Sequence, residues 1–104
     1  EAGDIALAQS QACLPPGVLF EILSDPTRPA PLEKVLLDIP MLELNPGFWE
    51  RAGRLRAAVI GAGFKAMLAD TLIAQSCLDH DVPLITRDGD FRHFVALGLR
   101  VLPD

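Results

Sequence analysis

The chain has 104 residues, half of them hydrophobic, 6% aromatic, with a formal net charge of −5. That length supports one domain with its own core and no need of disulfide or metal staples. The acidic balance excludes a uniformly basic surface that grips nucleic acid through its phosphates, and no apolar run approaches the roughly 18–20 residues of a membrane helix. Cys13 and Cys77, without a recognisable secretory leader ahead of them, fit free thiols in a reducing cytoplasm better than a disulfide framework.

In chain order, residues 4–11 suit a short helix led by Asp4, and residues 12–14 a short buried strand ended by Pro15 and Pro16. The stretch PGVLFEIL has Val18, Leu19, Ile22 and Leu23 at helical spacing, with a proline in its first turn and Asp25-Pro26 as its stop. A further short helix is expected over residues 32–37, then a half-buried strand over residues 41–44, where MLEL alternates apolar and polar. Asn45 as cap and Pro46 as first helical residue open a longer helix, whose Phe48, Ala52, Leu55 and Val59 form one apolar stripe and which Gly61-Ala62-Gly63 ends. Another helix begins near Asp70, with Leu72, Ile73, Ser76 and Cys77 inward. VPLIT then reads as a strand centred on residues 84–86, followed by a short helix over residues 91–97, Gly98 as its stop, and a last strand over residues 99–102. Strands alternating with helices imply a parallel sheet covered by helices on both faces.

Four acidic residues stand out of place: Glu21 in an apolar helical stripe, Asp70 in MLADTLIAQ, and Asp88 and Asp90 in LITRDGDF. Each has an ordinary explanation, respectively a surface charge, a helix N-cap and turn chemistry. Carboxylates at the carboxyl end of a buried strand, however, lie where open α/β sheets bind ligands. If the four share one cation-binding site, removing their charge from −5 leaves −1, and Arg51, Arg54, Arg56 and Lys65 become a local basic cluster. Cys77 and His80 have a C-x-x-H spacing but no second pair to complete a zinc site. Phe48 and Trp49, at the head of an amphipathic helix, fit core or interface better than base stacking.

The helix glutamate in PPGVLFEIL, the ADTLIA and LITRDGDF segments and the terminal GLRVLP resemble PIN-domain ribonucleases, in particular their VapC-type toxin branch, over nearly the whole chain. The resemblance implies a three-layer α/β/α fold with a central, mostly parallel sheet, here spanning residues 1–104 as one domain. It implies Mg²⁺ or Mn²⁺ on Glu21, Asp70 and Asp88, with Asp90 assisting and Thr86 orienting the last carboxylate loop. It also implies an RNA substrate, a cognate antitoxin, a homodimer and a prokaryotic cytoplasmic setting. Mg²⁺ prefers hard carboxylate and water oxygens, and such an ion activates a water and offsets charge developing on phosphate. Thr86, Arg87, Arg92 and Arg51 are candidate substrate contacts.

The family's first strand, with its own aspartate, has no counterpart before Glu21, and Asp4 fits that role poorly. The expected shortfall is roughly 15–25 residues, about a strand and part of a helix, leaving a sheet with a gap to be filled by another segment or chain. The same departure supports a second reading, a PIN-like scaffold without catalysis that acts by protein binding alone.

Overall fold

Two prolines set the first helix of the computed structural model, which describes residues 7–8, 15–38 and 41–102. Pro15 occupies the cap and Pro16 the first helical position of α1 (Pro16–Leu23), where a missing N–H costs nothing because the first turn has no acceptor for it. Asp25 then closes the turn after α1, its Oδ1 accepting from the Thr27 backbone N–H at 2.9 Å and from Thr27 Oγ1 at 2.7 Å. The next helix, α2, is Ala30–Leu37.

The longest helix, α3, is Phe48–Gly61, and it buries Phe48, Ala52, Leu55 and Val59, the stripe its spacing implies. It starts two residues later than the expected Asn45-Pro46 opening, because Gly47 takes the cap position in a left-handed conformation. Helix α4 is Leu68–Asp79; Ile73, Ser76 and Cys77 are buried on it and Leu72 partly so. Its cap position is Met67, so Asp70 is the third helical residue rather than the N-cap.

The sheet is small. Strands β1 (Leu7–Ala8), β2 (Leu84–Ile85) and β3 (Val101–Leu102) lie in the order β1-β2-β3. β2 pairs β3 in parallel and β1 antiparallel, with Leu84 opposite Val101 on one side and Ala8 on the other. The fold class is therefore α/β, helix-rich around a short sheet. Three expectations need correction or placement. Leu7 and Ala8 are strand and not helix, and the rest of the expected 4–11 helix, like the expected 12–14 strand, lies outside the described residues. Residues 41–44 supply only a single bridge at Met41, with Leu42 alone buried. On its two rungs β2 is paired along both edges.

A core of Val18, Val59, Ile73, Cys77, Leu84 and Phe94, among others, joins α1, α3, α4, β2 and α5 (Arg92–Val95). α1 crosses α4 closely at Gly17, where an added Cβ would lie 2.9 Å from Ile73 Cγ1 and 3.4 Å from the Ala69 carbonyl oxygen. That approach fixes Glu21, one turn further along α1, relative to Asp70 on α4.

Candidate metal centre

Asp70 is partly buried in the first turn of α4. A carboxylate there is favoured by the helix dipole, by up to about 2 kcal/mol in a partly buried position. Nevertheless its pKa rises from 3.8 to about 6, first because burial removes water and then because Glu21, Asp88 and Asp90 add negative charge around it. Burial and repulsion outweigh the dipole. The Glu21 carboxyl is raised too, by desolvation and by Asp88. The four acidic residues singled out by the sequence thus share one electrostatic neighbourhood, brought together from α1, α4 and the segment after β2.

Asp88 caps a short 3₁₀ turn at Gly89–Phe91, its Oδ1 accepting the Asp90 backbone N–H at 2.9 Å. The turn chemistry is therefore real, but it engages one carboxylate oxygen and leaves Oδ2 without a hydrogen bond among the described residues. Thr86 is buried, donates its backbone N–H to the Leu102 carbonyl at 2.9 Å, and accepts the Asp88 N–H on Oγ1 at 3.1 Å. The loop is thereby tied to the β2–β3 pair. Beside it an open cleft of about 420 Å³ is lined by Thr86, Arg87, Asp88, Gly89, Arg92, Val95 and Val101. Arg87 is exposed at its rim, and Arg92 donates through Nη1 to the Gly89 carbonyl at 2.9 Å.

Other candidates are placed elsewhere. Arg51 forms a bidentate pair with Asp79, with Nε donating to Oδ1 at 2.9 Å and Nη2 to Oδ2, while Nη1 donates to the Pro46 carbonyl at 2.7 Å. Its donors hold α3 to α4 and are not presented to a phosphate. Arg56 donates Nε to the Ala66 carbonyl at 2.8 Å, whereas Arg54 and Lys65 are exposed. The Cys77 thiol is buried, with its pKa pushed up to about 12 by desolvation, and the His80 ring bonds the Glu43 carbonyl at 2.7 Å. That pair is structural. Phe48 is buried beneath Trp49, which is 63% exposed and meets it edge to face.

The pattern that defines the PIN domain matches residues 3–97. The chain belongs to the PIN domain family. PIN domains are generally nucleases, hydrolases of phosphodiester bonds that typically use divalent metals. No curated protein matches the chain with significance.

The acidic cluster of this PIN domain suits such an ion by chemistry: hard oxygen donors whose mutual repulsion a divalent cation would relieve. Its side chains are not in liganding contact, since among the described residues no three His, Cys, Asp or Glu side chains are grouped closely enough to hold an ion. Among the described residues no helix is long and apolar enough to cross a membrane.

Proposed function

We propose that this PIN domain is a metal-dependent endoribonuclease of the VapC toxin type, with Glu21, Asp70 and Asp88 holding Mg²⁺ or Mn²⁺ and Asp90 beside them. One observation carries the reading: in a PIN domain, Asp70 is partly buried at the head of α4 with Glu21, Asp88 and Asp90 brought around it, so that burial and their charge push its carboxyl up to about 6. A scaffold without catalysis gains nothing from charges kept in mutual repulsion, whereas a cation site uses them.

Held by these carboxylates, such an ion would supply an activated water and positive charge for the phosphate oxygens. The chain's own residues position it. Thr86 fixes Asp88 through the Asp88 N–H, and the Asp90 N–H fixes the orientation of the Asp88 carboxylate. Arg87 and Arg92, on the cleft beside Asp88, contact the RNA phosphates next to the scissile bond, with Arg51 withdrawn from that role by Asp79. The cognate antitoxin and a second copy of the chain cover apolar surface such as Phe20, Met67 and Leu68, which are 70%, 63% and 61% exposed. The setting is the prokaryotic cytoplasm.

The test is incubation of the protein with structured RNAs in Mn²⁺, in Mg²⁺ and in EDTA, with the product ends determined. Cleavage leaving 5′ phosphates, lost in EDTA and in Asp70→Asn and Asp88→Asn, is the expected result. Cleavage at the normal rate in both variants overturns the site. Binding of an antitoxin with no cleavage of any RNA favours the scaffold.

A further inference from the structure

The loop between α3 and α4 carries a half-exposed aromatic ring. Phe64 is 50% exposed, yet its backbone is fixed. Gly63, at φ 93, reverses the chain, and the Phe64 N–H then donates to the Val59 carbonyl at 3.2 Å. Two residues on, the Ala66 carbonyl is held by Arg56. The ring stacks on His93 of α5, with centroids 4.3 Å apart and planes 18° from parallel. A half-exposed phenylalanine, fixed at its backbone and backed by an imidazole, is a flat surface prepared for another ring.

Its position links it to the acidic cluster. Phe64 lies six residues before Asp70 and His93 three after Asp90, so the stack bridges the two segments whose carboxylates act on each other. α4 also touches the 3₁₀ turn that contains Asp90. Lys65, exposed and next in sequence to the ring, can meet a phosphate of the same strand.

We propose that Phe64, backed by His93, is a stacking platform for an unpaired base of single-stranded RNA close to the scissile phosphate. The inference rests on the ribonuclease reading above and adds to it a residue that determines which RNA is accepted: an unstacked base must be free to reach the ring. Single-stranded RNA is commonly held in this way, because every base offers a π-face and stacking tolerates sequence.

Fluorescence anisotropy distinguishes the platform from a surface packing contact. The protein is titrated, in Ca²⁺, into a short labelled single-stranded RNA and into an abasic strand of the same length, which keeps the phosphates and removes the bases. The base-bearing strand should bind about tenfold more tightly than the abasic one. Phe64→Ala should remove that difference and leave abasic binding unchanged, and Phe64→Trp should restore it. Phe64→Leu, which keeps apolar packing on His93 but offers no aromatic face, should lose the difference without a change in melting temperature. Wild-type affinity for both strands in Phe64→Ala or Phe64→Leu overturns the platform, as does equal binding of the two strands by the wild type. If these results accompany intact RNA cleavage, the ribonuclease reading survives alone; no binding of either strand and no cleavage sinks both.

Discussion

Replacing Asp70 with Asn should stabilise the metal-free protein at neutral pH, and the size of the effect follows from the site. A carboxyl moved from 3.8 to about 6 corresponds, at 1.36 kcal/mol per pH unit, to about 3 kcal/mol against the charged form. Asp70 is only partly buried, so solvent and salt screen much of this, and about 1–1.5 kcal/mol is the working figure. The sign is fixed by the direction of the shift. Below the ordinary pKa the carboxyl is protonated whether the chain is folded or not, and no penalty exists. Above about 6 it is ionised in both states, and the penalty is complete. The wild type therefore loses this increment as pH rises from about 4 to about 6. The Asp79 and Asp25 carboxyls, held below their usual range by Arg51 and Thr27 respectively, act in the opposite sense. Taking the wild type minus Asp70→Asn cancels them. Thermal melts in EDTA at a series of pH values should show the variant equal to the wild type near pH 3.5 and roughly 4–12 °C higher at pH 7, given about 4–8 °C per kcal/mol for a small domain. Added Mn²⁺ should raise the wild-type melt and leave the variant's nearly unchanged. A variant that is less stable than the wild type at pH 7, or a difference independent of pH, refutes the reasoning.

Asp88→Asn keeps an oxygen that can accept the Asp90 N–H, now at 2.9 Å, so it should fold with equal or higher stability yet lose RNA cleavage; a folded variant that cuts normally would make the residue structural. Thr86→Val removes the acceptor for the Asp88 N–H at a cost of about 1 kcal/mol, and should lower kcat more than it raises KM in steady-state cleavage assays. Arg51→Ala should lower the melting temperature at pH 7 while leaving RNA affinity unchanged. Because Arg51 depresses the Asp79 pKa, that deficit should shrink as pH falls through the acidic range. Gly17→Ala sets a Cβ against buried Ile73 and should cost about 1–3 kcal/mol by urea denaturation.

The helices were legible because their periodicity coincides with burial. The stripe of Phe48, Ala52, Leu55 and Val59 needed no partner to be read, and Pro16 marks where α1 starts whatever it packs against. The strands were harder. β2 and β3 lie inside the strands expected over residues 84–86 and 99–102 but are shorter, whereas the two residues of β1 contain too little alternation to register. Pairing also decides what a strand is, and residues 41–44, which alternate well, gain only one bridge at Met41. The late start of α3 reflects the left-handed Gly47, a backbone choice that Asn45-Pro46 concealed.

Order along the chain was enough to nominate Glu21, Asp70, Asp88 and Asp90, since each follows a turn or a helical stripe that places it. Their mutual field required the close approach of α1 to α4. The pairing of Arg51 is not legible in the sequence because its partner Asp79 is 28 residues away, and a charge on a helix looks the same whether paired or free. Phe64 and His93 were passed over, although a phenylalanine directly after Gly61-Ala62-Gly63, where no helical stripe demands it, was the available signal.

Anomalous diffraction from crystals of the protein grown with Mn²⁺ tests the metal centre most directly. The expected map has a Mn²⁺ peak bonded to carboxylate oxygens of Asp70 and Asp88, with Glu21 completing the set, at the short distances hard divalent ions adopt, about 2.1 Å for Mg²⁺. A well-ordered acidic cluster with no peak at saturating Mn²⁺, or a peak only at some other group of residues, would contradict the assignment.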